Sequence, residues 1–178
     1  MGFIGAVALL TAFVVPGFAF PHVPDLVDPA PRPTAPVIEP LERTGEATAL
    51  TELLPDAVLH LAQRDIDNYD PWQSENRALE SWTVLYAADV APGATAVVLT
   101  LGQWADESMA TSFASAQSRA AGAPIRTGEV RVGEQVVGYF SIHGSETDAV
   151  IWWRNSTVVL RATGLANLLL DFYSAFPL

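Results

Sequence analysis

Cysteine is missing from the chain altogether, and so is lysine. The first absence excludes disulfide frameworks, thiolate nucleophiles, Cys-ligated zinc, iron–sulfur clusters and a lipidated cysteine, so any membrane attachment has to come from the polypeptide itself. The second leaves 9 arginines as the only fixed side-chain cations against 20 acidic side chains, a formal charge of -11. Neutralising phosphates takes clustered Lys and Arg, and here the field has the opposite sign. That excludes nucleic acid as a partner and disfavours adsorption to an anionic lipid surface. The acidity reads as a solvated surface that keeps the chain soluble.

Catalytic and cofactor motifs are lacking as well. Asp65, Asp67, Asn68 and Asp70 alternate like the start of a calcium loop. The register fails, because Tyr69 falls where the third ligand belongs, Asp70 on the obligatory glycine and Asn76 on the bidentate glutamate. His22, His60 and His143 are scattered and imply no metal centre. His143 lies beside Ser141 and Ser145, but no Gly-x-Ser-x-Gly elbow exists to present a nucleophile. Gly128, Gly133 and Gly138 recur across strands and not in a strand-to-helix turn, so they form no phosphate cradle. Asn155-Ser156-Thr157 is formally a glycosylation sequon, and also what a tight hairpin turn asks for. No catalytic residue, cofactor or metal is assigned, and the chain is expected not to be an enzyme.

What is present is apolar mass. Half of the 178 residues are hydrophobic and they include 5 Trp and 8 Phe, enough for one packed domain with appendages. Residues 1–20 carry no charge, and a helix of that length spans about 30 Å, the thickness of a bilayer core. They predict a single-pass transmembrane anchor. The rival is an uncleaved or cleaved signal peptide, since Gly17-Phe18-Ala19 supplies small residues where a peptidase cuts. Residues 21–46 form a Pro-rich extended linker, with prolines at 21, 24, 29, 31, 33, 36 and 40 blocking helix and sheet alike. Arg32 and Arg43 follow the apolar segment and mildly favour a cytoplasmic domain, but the stalk-like layout places it on the extracytoplasmic side.

Residues 47–178 read as an α+β domain. Leu50, Leu53, Leu54, Val58 and Leu61 predict one helix within 47–64, with Pro55 restarting it at its first turn and not sitting inside it, and the polar stretch 65–77 a loop carrying Tyr69 and Trp72. Strands at 81–88 and 94–102 flank Pro92-Gly93 as a hairpin. A helix follows at 106–121, then a meander at 126–132, 135–143, 148–154 and 157–163, then a closing helix from Leu165 to Phe176. The expected fold is an antiparallel sheet of about six strands with two to three helices mainly on one face. The repeated order of strand, strand, helix hints at an internal duplication.

The third strand of that meander is apolar on both faces, Ala149, Ile151 and Trp153 on one, Val150, Trp152 and Arg154 on the other. Helices on one side leave the second face to a further layer, such as the 47–64 helix, or to a ligand or partner. Trp72 and Tyr69 in the polar loop, and Trp152 and Arg154 on that second face, are the candidate contact residues. The functional expectation is a membrane-anchored accessory or interaction domain that docks on a larger membrane protein complex. The alternative is a secreted or tethered binding module for a small apolar or lipid-like ligand.

Overall fold

Pro55 decides the first departure from these expectations. In the computed structural model, which describes residues 34–43, 47–132 and 134–178, helix α1 is a single turn, Ala49–Glu52, capped by Thr48. A residue before proline is pushed out of the helical region and proline has no N–H to donate, so the helix cannot run through Leu54. The chain instead turns at Leu59, which takes a φ of 53°, and forms a small hairpin from β1 (Ala57–Val58) and β2 (Leu61–Asn68). The apolar spacing that suggested a helix survives as burial: Leu50, Leu54, Val58 and Leu61 enter one core from a turn and two strands.

The predicted polar loop is also partly ordered. β2 extends to Asn68, and α2 (Asp70–Ser74) has Pro71 in its first turn and carries Trp72 into the interior. The remaining elements fall where the sequence placed them. β3 (Glu80–Ala87) and β4 (Ala96–Gln103) form the hairpin, and α3 (Glu107–Ala120) is capped by the Asp106 side chain. β5 (Arg126–Val132), β6 (Gln135–Gly144), β7 (Ala149–Asn155) and β8 (Val158–Gly164) form the meander, and α4 (Ala166–Ala175) follows.

All the strands join one antiparallel sheet in the order β1-β2-β3-β4-β8-β7-β6-β5. Two four-strand meanders, each followed by a helix, therefore meet at the β4/β8 seam. Among the described residues the sheet has 8 strands and 4 helices accompany it, against the smaller number expected, because the stretch expected as one helix and a loop yields two strands and two short helices.

Helices cover both faces and not mainly one. α4 and α1 pack on the face that carries Ile151 and Trp153, together with Val84, Tyr86, Leu99, Leu101 and Leu160. α3 and α2 pack on the opposite face, where Trp72, Trp104, Phe113 and Trp152 form a second cluster. The further layer over the Trp152 face is thus α3, whereas the segment expected to supply it joins the other side. A strand apolar on both faces is what a sheet sandwiched between helices requires.

Every described residue belongs to one compact unit within 33–178. The expected transmembrane segment and the first half of the Pro-rich segment lie outside the described residues; among those described, no helix is long and apolar enough to cross a membrane. The end of the Pro-rich segment is pinned to the sheet. The Leu41 N–H donates to the Gln63 carbonyl at 2.9 Å and the Arg64 guanidinium to the Glu39 carbonyl at 2.6 Å. Arg43 donates to Gln63, to the carbonyls of Thr51 and Leu54, and to Asp56.

Candidate functional site

Antiparallel register sets one residue from each strand except β1 in a line across the α3 face: Asp67, Thr83, Thr100, Arg161, Trp152, Ser141 and Thr127, on β2, β3, β4, β8, β7, β6 and β5. Directly opposed residues share a face, so this is one row, polar except for Trp152, crossing that face of the sheet. Thr100 is fully buried and accepts a hydrogen bond from Arg161 at 3.0 Å. The Arg161 guanidinium lies 5.9 Å from the Tyr69 ring centroid and 5.7 Å from that of Trp152, within cation–π range. No carboxylate among the described residues pairs with it.

Three buried polar atoms of this row have no hydrogen-bond partner: Thr83 Oγ1, Trp152 Nε1 and Arg161 Nε. A buried donor left unpaired costs about 1–3 kcal/mol, so their concentration on one face marks it as the polar centre of the molecule.

The β5–β7 end of the row opens into a groove of about 560 Å³ between α3 and the sheet. Its α3 wall includes Ala114, Ser115, Ser118 and Arg119, and its floor includes Tyr139, Ser141, Trp152 and Arg154. Ser118 is placed there by the amphipathic turn of α3, whose opposite side is exposed. Its hydroxyl lies 3.0 Å from Ser141 Oγ and 3.3 Å from His143 Nε2, and Ser141 Oγ lies 2.9 Å from the same nitrogen. The three groups tie the C-terminal half of α3 to β6.

A hydroxyl bonded to an imidazole is the start of a nucleophile and base pair, but such a pair needs a third group to orient the ring. His143 Nδ1 has no partner and the residue is 1% exposed. Ser118, Ser141 and buried His143 therefore meet beside the groove without a carboxylate, and Ser145 belongs to the β6–β7 turn, where it bonds Asp148. The arrangement acts as a clasp. Among the described residues no three His, Asp or Glu side chains gather as a cation site.

The four candidate contact residues have different fates. Trp72 and Trp152, 4% and 6% exposed, are interior and stack on each other with ring centroids 5.9 Å apart. Tyr69 is half-buried and meets Trp72 edge-on at 5.7 Å. The structure thus brings these three together around Arg161, as an internal cluster and not as an uncovered aromatic surface. Arg154 stands apart from them at the groove, half-buried, with Nη1 donating to the Ser156 carbonyl at 2.8 Å. Sequence reasoning missed Ser118, Arg119 and Arg161. Arg161 carried one usable signal, a cation inside an apolar strand, while a serine on the polar side of a helix carries none.

No protein-family model, curated protein or solved structure matches the chain.

Proposed function

We propose that this chain is a non-catalytic binding domain, held at the extracytoplasmic side of a membrane by residues 1–20, whose groove takes a small apolar or lipid-like ligand. The groove carries the reading: its volume of about 560 Å³ lies within the range of about 300–1,000 Å³ usual for small-molecule sites. Its lining sets Ala114, Tyr139 and Trp152 among hydroxyl and charged groups such as Ser115, Ser118, Ser141 and Arg154, so it offers both apolar contact and polar groups that can orient a ligand. The tether rests on the uncharged length of residues 1–20 and on the Pro-rich segment behind it.

A second reading, an accessory subunit docking on a larger membrane protein complex, draws on a different feature. Leu85, Val98, Thr163 and Val150 form a half-exposed row beside Arg161, in register across β3, β4, β8 and β7. Such a strip suits a protein contact better than a small ligand.

The ligand reading is tested by tryptophan fluorescence of the full chain in phosphatidylcholine nanodiscs, titrated with terminally brominated dodecanol. Trp152 lines the groove, so a bound chain brings the quenching bromine close to an indole. Saturable quenching that is lost in Ser115→Phe, which fills the groove from α3, is the expected result. Identical titrations for the two proteins would reject it.

A further inference from the structure

Ser141, Trp152 and Trp153 are the buried polar side chains of the groove lining. The Trp153 indole N–H is spent on the Leu178 carbonyl at 3.2 Å, while the Trp152 indole N–H has no acceptor among the described residues. What Ser141 offers depends on the clasp, whose protons can be counted. The side chains of Ser118, Ser141 and His143 bond only one another among the described residues. Ser118 does not donate to the carbonyl four residues back, as the helical serines Ser74 and Ser174 do.

A neutral imidazole carries one N–H and one lone pair. With the proton on Nδ1, both hydroxyl protons are absorbed inside the clasp, one by Nε2 and one by the other hydroxyl, and a buried N–H stays unpaired. With the proton on Nε2, that N–H donates to one hydroxyl oxygen and that hydroxyl to the other. The second hydroxyl proton then has no acceptor inside the clasp, and Ser118 and Ser141 both line the groove. Orphaned buried N–H groups are rarer than under-used acceptors, which favours the second arrangement. The groove is then left with donors in surplus: one hydroxyl proton and the Trp152 N–H.

We infer that the groove recognises a neutral oxygen acceptor, the carbonyl of a long-chain ketone or ester, which takes the hydroxyl proton left over by the clasp while its apolar part packs against Tyr139 and Trp152. A carbonyl oxygen has lone pairs and no proton of its own, so it complements such a donor. One hydroxyl falls short of what a buried ionised group needs. The inference rests on the groove being a ligand site, and it adds which polar end of the ligand is read.

The test takes two measurements on the full chain in phosphatidylcholine nanodiscs. NMR of the imidazole nitrogens, with His143 assigned by its loss in His143→Phe, is expected to find the proton on Nε2. Finding it on Nδ1 would overturn the inference, because no hydroxyl proton would be left for a ligand; this reading needs no altered clasp and stands whether or not a variant folds. Tryptophan quenching is then compared between a terminally brominated long-chain methyl ketone and a brominated alkane of the same length. The ratio of their midpoints should favour the ketone about fivefold more in the parent protein than in the double variant Ser118→Ala, Ser141→Ala, and comparing ratios cancels the unequal partitioning of the probes into lipid. Equal ratios in the two proteins would overturn the carbonyl assignment and leave the groove an apolar site. No saturable quenching by either probe, relative to Ser115→Phe, would overturn the ligand reading with it.

Discussion

Trp72 lies against Gly102, where an added Cβ would come within 3.0 Å of the indole, and it touches Tyr69, Trp104, Phe113 and Trp152. Truncating a buried aromatic removes its transfer energy and leaves a cavity, so Trp72→Ala should lower stability by about 3–5 kcal/mol, measured by urea unfolding. Gly138 tests close approach: a Cβ there would sit 1.7 Å from the Arg154 carbonyl oxygen across the β6–β7 ladder. Gly138→Ala should therefore destabilise by about 1–3 kcal/mol, since backbone has to move. Tyr86 supplies a pH dependence. Burial raises its ionisation well above the ordinary 10.0, with Arg43 acting weakly in the opposite direction and Asp56 reinforcing the rise, and its hydroxyl donates to the Pro55 carbonyl. Burial raises Tyr173 as well. The unfolded chain releases these protons near 10.0 while the folded one keeps them, so stability is full below that pH and is lost as pH climbs above it. The unfolding midpoint should fall on alkaline titration, and Tyr86→Phe should flatten that fall.

The elements divide by how local their signals are. α3 was legible because its cap, periodicity and terminating glycine all lie within its own sequence, and the β5–β8 meander because its turns leave few alternatives. β1 and β2 were not, because their apolar residues fit helical spacing until Pro55 and the left-handed Leu59 break it. α2 was hidden for another reason: a five-residue helix of polar composition is stabilised by the burial of one indole, which is tertiary information. The site was legible only in fragments. Tyr69, Trp72, Trp152 and Arg154 were singled out as candidate contact residues, and the structure packs three of them together beneath α3. The polar row depends on register between strands far apart in sequence, and no local pattern encodes it. The Pro-rich segment has a structural task at its end, because Glu39, Leu41 and Arg43 lie along β2, where an open strand edge would invite pairing with other chains. Arg43→Ala should cost about 1.5–3 kcal/mol, the worth of hydrogen bonds to a charged group, and should speed amide exchange along β2 more than along β7.

At the scale of the whole molecule, the described residues form a sheet covered on both sides, and its α3 side carries the groove and the polar row. α3 is clasped to β6 by Ser118, Ser141 and His143 at one end of a polar row, and the groove opens beside the clasp. His143→Phe would remove the clasp while keeping an apolar ring in place, and should weaken ligand binding by freeing the α3 wall, read as a shift in the quenching midpoint. The most direct measurement is native mass spectrometry of the full chain released from gentle detergent. A small-molecule adduct on a single chain, lost on collisional activation and missing from Ser115→Phe, is the outcome expected of a tethered binding domain. A bare chain that travels with a stoichiometric membrane-protein partner would contradict it and favour the accessory-subunit reading.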